Sequence, residues 1–245
     1  MKFQAVAFDL DGTLYPNYRA NLRLIPFILK ENRLLRALGS ARTQIRKSYE
    51  LVEPGSSGEE AGVPDAKNSG AFFYENQARI MGEILGEAPD KIKEKIERLI
   101  YRGWEPLFNR IELFAHVKET LNAFRNSGLK LGLLSDFPPE VKLENLKISG
   151  YWDTVLCSEE TGYIKPHPAS FMELASRLET KTEHILYVGN SVSYDVYGAG
   201  RVGMKTALIR SELKRLISAI NSAPKGPQAN FFFSDYRQLC DYVLN

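Results

Sequence analysis

Short apolar runs alternate with helical patterns along this chain, and that alternation restricts its fold more than any other feature. The runs Phe3–Phe8, Leu129–Leu134, Thr154–Cys157, Ile185–Val188, Lys205–Ile209 and Asn230–Phe233 are bounded by turn residues and read as buried strands. Helical patterns lie between several of them. Val117–Asn126 carries Leu121 and Phe124 and stops near Gly128, and Ala169–Leu178 places Phe171, Leu174, Ala175 and Leu178 on one face. Strands that are apolar throughout, separated by helices, predict a parallel sheet covered on both sides.

The region from Tyr18 to Trp104 breaks this rhythm, with helical segments and no convincing strand. The spacing predicts helices over Leu22–Leu38 ending at Gly39, over Ala71–Leu85 stopping at Gly86, and over Asp90–Arg102 stopping at Gly103. It reads as a helical domain inserted after the first strand. Glu53–Gly70, rich in Gly, Ser, Pro and Glu, reads as a surface insertion rather than a lid. Tyr18–Glu50 holds eight Lys/Arg against two Glu. That bias reads as one solvated helix face, with attraction of anionic substrates as the sharper alternative.

Composition removes several classes. The 245 residues suffice for one or two domains at about 150 residues each. With 44% hydrophobic and 25% charged residues the chain is globular, and a net charge of +2 does not suggest a nucleic-acid binder. Cys157 and Cys240 match no zinc or redox spacing and read as free thiols. No run reaches the roughly 18 apolar residues of a membrane span, and Asp9 and Asp11 interrupt the N-terminal run before a signal core forms. A cytoplasmic location is expected.

The segment Phe8-Asp9-Leu10-Asp11-Gly12-Thr13-Leu14 follows the first strand, so Asp9 falls at a strand C-terminus, where open α/β sheets place ligands. Two carboxylates two residues apart can divide nucleophilic attack and proton transfer between them. Alone, such a pair is more often a turn or a helix cap. Further polar positions follow later strands in order: Ser135-Asp136, then Lys165 before Pro166-His167-Pro168, then Gly189-Asn190-Ser191 with Asp195 on the next turn. All would converge on one sheet edge. Ser135 and backbone amides can hold phosphate oxygens, and Lys165 can neutralise charge on a transferring group. Carboxylate and amide oxygens can bind Mg2+, which takes few protein ligands.

In this combination the residues Asp9-Leu10-Asp11-Gly12-Thr13, Ser135, Lys165 and Gly189-Asn190-Ser191…Asp195 resemble the four motifs of the haloacid dehalogenase superfamily. The resemblance implies an α/β fold: a Rossmann-like parallel-sheet core (residues 1–16 and 106–245) with an inserted all-helical cap domain (residues 17–105). It implies Mg2+-dependent hydrolysis of a small phosphomonoester. Asp9 would be the nucleophile forming an aspartyl-phosphate, and Asp11 would protonate the leaving oxygen and then activate water. Ser135, Asp136 and Lys165 would hold the phosphoryl group. Mg2+ would be bound by the Asp9 carboxylate, the Asp11 backbone carbonyl and Asn190, with Asp195 as direct or indirect support. Dehalogenase and phosphonatase relatives lack an acid at the position of Asp11, so its presence points to phosphate esters or to a phosphomutase.

Two residues depart from the family pattern. Asn190 stands where Asp is common, which removes a negative charge from the metal site. Asp136 stands where Asn is common, so its carboxylate must point away from phosphate or find a partner. His116, His167 and His184 lie in no triad or metal spacing, and Phe231-Phe232-Phe233 reads as buried strand. Tyr15 and Tyr18 follow the nucleophile loop and divide evenly between site and core. Two rivals remain: a phosphorylated receiver-type module, which needs only about half this length, and a family member reduced to binding. The expected partner is a small phosphorylated metabolite, with no nucleic acid and no membrane. Sugar phosphates, nucleoside monophosphates and phosphoglycolate all fit.

Overall fold

The computed structural model of the chain describes residues 2–50, 69–103, 111–210 and 227–245. Six strands among them form one sheet: β1 (Ala5–Phe8), β2 (Lys130–Ser135), β3 (Thr154–Cys157), β4 (Ile185–Gly189), β5 (Lys205–Ile209) and β6 (Phe231–Phe233). Their order is β3-β2-β1-β4-β5-β6, and every neighbouring pair is parallel. Each of the apolar runs read from the sequence is therefore a strand, within two residues at either end. The chain winds to opposite sides of β1, where Phe8 pairs with Leu133 of β2 and Val188 of β4. A crevice opens at such a switch point beyond the strand's carboxyl end.

Both sheet faces are covered, which is why the strands carry no polar alternation. On one face Val6, Phe8, Leu131, Leu133 and Val188 pack with α5 (Val117–Asn126) and α9 (Tyr236–Leu244). On the other Ala5, Ala7, Leu134, Ile185 and Tyr187 pack with α7 (Pro168–Arg177) and α8 (Tyr197–Arg201). A shorter α6 (Glu140–Asn145) follows β2.

Between β1 and β2 the chain forms α1 (Asn17–Lys30), α2 (Asn32–Glu50), α3 (Ser69–Leu85) and α4 (Pro89–Lys95), the last running into a π-helical turn over Ile96–Tyr101. These helices bury their own apolar cluster, including Leu38, Ile45, Phe73, Met81, Ile92 and Ile100. The pattern predicted a single helix ending at Gly39, but the chain breaks earlier, at Glu31, whose φ of −109° and ψ of 25° leave the helical region. Gly39 sits inside α2 instead. A helix-interior glycine costs about 1 kcal/mol relative to alanine, and burial of Ala37, Leu38, Ala41 and Ile45 along one stripe outweighs it. Gly70 likewise lies in α3, not in a loop. The remainder of the expected surface insertion and the boundary near residue 105 lie outside the described residues. No helix among the described residues is long and apolar enough to cross a membrane.

Phe124 of α5 is fully buried with its ring centroid 6.5 Å from that of Phe8. Phe124→Ala is expected to lower stability by about 3–5 kcal/mol, read as a reduced urea midpoint. A loss below about 1 kcal/mol would contradict this packing.

Candidate active site

Asp9 follows directly on β1, buried at 6% exposure, and its N–H donates to Val188 O at 2.9 Å. The chain then turns sharply. Gly12 has φ of +86°, the left-handed region that favours glycine, and a Cβ there would also displace the side-chain amides of Asn190 and Asn17. Leu10 and Leu14, both fully buried, anchor the turn, and Tyr236 Oη donates to Thr13 O at 2.6 Å.

Three loops meet on one ammonium. Lys165, 3% exposed, lies in the segment ahead of α7 and donates to Asp9 Oδ1 at 2.6 Å and to Asp195 Oδ1 at 2.9 Å. Thr13 Oγ1 donates to the other Asp9 oxygen at 2.7 Å. The second Asp195 oxygen accepts the backbone N–H groups of Asn190 and Ser191 at 3.1 and 3.0 Å. The last position of β4 is glycine, and a Cβ at Gly189 would collide with the Asp195 side chain. Burial pushes the Asp9 carboxyl up to about 7 against the pull of Lys165, with Asp195 adding to the rise. Burial alone would lower the Lys165 ammonium, but Asp195 and Asp9 outweigh it and hold it well above its ordinary value.

Asp11 faces a second cation. Lys142 of α6, itself 7% exposed, donates to both Asp11 carboxylate oxygens at 2.8 Å, and the buried Tyr15 hydroxyl donates to Oδ1. Ser135 at the end of β2 is buried, its Oγ accepting the Phe137 N–H at 3.2 Å. Asp136 finds partners away from Asp9: Oδ1 accepts Ser158 Oγ at 2.6 Å and Lys165 N at 3.0 Å, and Oδ2 accepts Arg46 Nη2 at 2.9 Å. Burial works to raise the Asp136 pKa, and Lys165, Arg42 and Arg46 together overcome it and hold the carboxylate below its usual range.

Asn190 Nδ2 donates to the Asp11 carbonyl oxygen at 3.0 Å. Adjacent oxygens of an octahedral Mg2+ shell, each about 2.0–2.1 Å from the ion, lie about 3 Å apart. With its amide turned over, Asn190 would offer Oδ1 at that separation from Asp11 O. No group of three or more His, Cys, Asp or Glu among the described residues is arranged to hold a metal. Oxygen donors of this kind would suit a hard cation that keeps most of its water, such as Mg2+, with Asp11 O and Asn190 as the pair whose spacing is compatible and Asp9 as the neighbouring carboxylate.

A family profile described as haloacid dehalogenase-like hydrolase matches residues 3–203. The chain belongs to the haloacid dehalogenase-like hydrolases. It is 29% identical over 211 residues to the glyceraldehyde 3-phosphate phosphatase of Methanopyrus kandleri, covering 84% of each chain. It is also 29% identical over 214 residues to the phosphoglycolate phosphatase of Salmonella typhi, covering 82% of this chain and 78% of that one. The crystal structure of a HAD phosphatase from Thermococcus onnurineus shares the fold, with a TM-score of 0.59 at 22% identity over 98% of both chains.

Within this haloacid dehalogenase-like fold the residues singled out from the sequence separate into two neighbouring groups. Asp9, Lys165, Asp136 and Asp195 join one hydrogen-bonded network, the Asp11 carboxylate is held by Lys142 and Tyr15, and Asn190 links the two through its N–H on Asp195 and its side chain on the Asp11 carbonyl. Sequence reasoning missed Lys142, which carries no motif spacing of its own. It also assigned the basic bias of the first helices to solvent. Arg33, Arg36 and Lys47 are indeed exposed, but Arg42 is buried at 5% and pairs with the fully buried Glu159. His167 is structural, as expected: Nδ1 accepts Ala169 N at the start of α7, the ring stacks on Tyr163, and burial with Arg201 pushes its pKa down to about 4.

The buried Asp9 carboxyl makes the stability of the fold depend on pH. Its folded carboxyl titrates near 7 against an ordinary 3.8, so the folded state binds the extra proton between those values. Ionised Asp9 therefore opposes folding above about pH 7, and the penalty fades as pH falls toward 4. In EDTA, Asp9→Asn is expected to raise Tm at pH 8 by at least about 3 °C, the gap closing near pH 4. A variant less stable than wild type at pH 8 would contradict this electrostatic account.

Proposed function

We propose that the chain is a Mg2+-dependent hydrolase of a small phosphomonoester, with Asp9 as the nucleophile. The observation that carries this reading is Asp11, a second carboxylate two residues beyond Asp9, held in place by Lys142 and Tyr15. An alkoxide leaving group needs a proton, and a second carboxyl group beside the nucleophile supports a reading in which Asp11 delivers it. The phosphatase names of the relatives above support hydrolysis over the phosphomutase and binding-protein readings.

In the proposed mechanism an Asp9 carboxylate oxygen attacks phosphorus, and the bond from phosphorus to the ester oxygen breaks as Asp11 protonates that oxygen. Ser135, the backbone beside Asp136, and Lys165 hold the phosphoryl oxygens. Asp11, now a carboxylate, takes a proton from water, whose oxygen attacks phosphorus and releases Asp9 with inorganic phosphate. Asp9, Asp11 O and Asn190 are the groups that would hold Mg2+, which would supply positive charge to favour ionised Asp9 and offset charge on the transferring group. Asp195, both of whose oxygens are taken up by Lys165 and two backbone amides, orients the loop after β4 that carries Asn190. Residues 17–105 act as the cap, whose closure excludes water during transfer.

Phosphate release from a panel of phosphomonoesters is expected to require Mg2+, to stop in EDTA, and to fall by more than about a thousandfold in Asp9→Asn. Residual activity within about tenfold of wild type would overturn the assignment. Asp11→Asn is expected to lose least on p-nitrophenyl phosphate, whose leaving group needs little protonation. Equal losses on all esters would remove Asp11 from the acid role.

A further inference from the structure

Helix α2 turns one stripe toward the catalytic loops: Arg42, Arg46 and Tyr49, spaced i, i+4, i+7. Arg42 is committed to Glu159, to Gln77 and to the Asp136 carbonyl, and Tyr49 Oη accepts the Ile164 N–H at 3.2 Å. Arg46 reaches furthest. Its Nε donates to the Lys165 carbonyl at 2.8 Å, its Nη2 donates to Asp136 Oδ2 at 2.9 Å, and its guanidinium lies 4.4 Å from the Tyr194 ring centroid. Those partners belong to three loops: after β2, before α7 and after β4.

Asp136 completes the joint. Every bond its carboxylate makes is an acceptor bond, from Ser158 Oγ and Lys165 N at one oxygen and from Arg46 at the other. An asparagine could satisfy the first oxygen's donors but would turn an N–H2 group on the guanidinium, donor against donor. The carboxylate at 136 thus suits Arg46, which accounts for this departure from the family pattern.

We infer that Arg46, acting through Asp136, is a positioning residue that locks the Ser135 loop to the Lys165 loop when α2 is seated on the core. It touches neither reacting group. Its fork fixes the backbone on both sides of the phosphoryl position, a geometry a lysine cannot reproduce.

Two arms test this on the full chain. Hydrogen exchange needs no activity: Arg46→Gln and Asp136→Asn should each speed exchange at the amides of Phe137, Ile164 and Lys165 by about tenfold or more, while β1 and β4 are unchanged. Unchanged exchange at those amides, or equal acceleration throughout the sheet, would overturn the inference. The kinetic arm rests on the phosphatase reading and uses p-nitrophenyl phosphate. Each single substitution should lower kcat about tenfold, and the double substitution, which restores a donor–acceptor pair, should recover most of it. Losses that simply multiply would overturn the inference. A wild-type protein that releases no phosphate would instead remove the functional reading, leaving the exchange arm to decide the positioning role.

Discussion

One buried ammonium between two buried carboxylates organises the catalytic end of this molecule. Lys165 draws Asp9 from the end of β1 and Asp195 from beyond β4 to within 3 Å of a single nitrogen. Three groups with only one positive charge among them are costly to bury, and breaking such a cluster leaves an uncompensated charge. The surrounding choices follow from keeping it satisfied. Thr13 takes the spare Asp9 oxygen, the Asn190 and Ser191 amides take the spare Asp195 oxygen, and glycine at 189 lets that carboxylate approach. The resulting negative excess sits where a divalent cation and a phosphoryl group would enter.

The second carboxylate of the loop after β1 lies in a different environment. Asp11 is outside the Lys165 cluster and bound to Lys142 and Tyr15. Two acids two residues apart can perform different tasks because the turn at Gly12 sends their side chains to separate cations. The helical region closes the arrangement from the other side, with the Arg46–Asp136 pair tying α2 to the same loops that hold Ser135 and Lys165.

The strands were legible because a parallel sheet buried on both faces writes each strand as an unbroken apolar run, as in Ala5–Phe8 and Ile185–Gly189. The candidate site was legible where a polar residue ends or directly follows a strand, as at Asp9, Ser135 and Asn190, whereas Lys165 lies well past β3, beyond the turn over Ser158–Thr161. Lys142 was not legible: it reaches Asp11 from a six-residue helix across 131 positions of chain, a contact made by tertiary packing alone. Arg42 and Arg46 were hidden for a related reason. A basic residue on an amphipathic helix looks the same in sequence whether it meets water or a buried Glu159. The break at Glu31 and the continuation through Gly39 likewise reflect packing overriding local propensity.

The central claim is that Asp9 carries the phosphoryl group during turnover. The direct test is to quench the enzyme in acid while it hydrolyses a phosphomonoester with Mg2+ and map phosphorylated peptides by mass spectrometry. The account predicts an acid-stable, alkali-labile phosphoryl group on Asp9 alone, absent from Asp9→Asn. Turnover without any phosphorylated aspartate, or with the group on another residue, would contradict it.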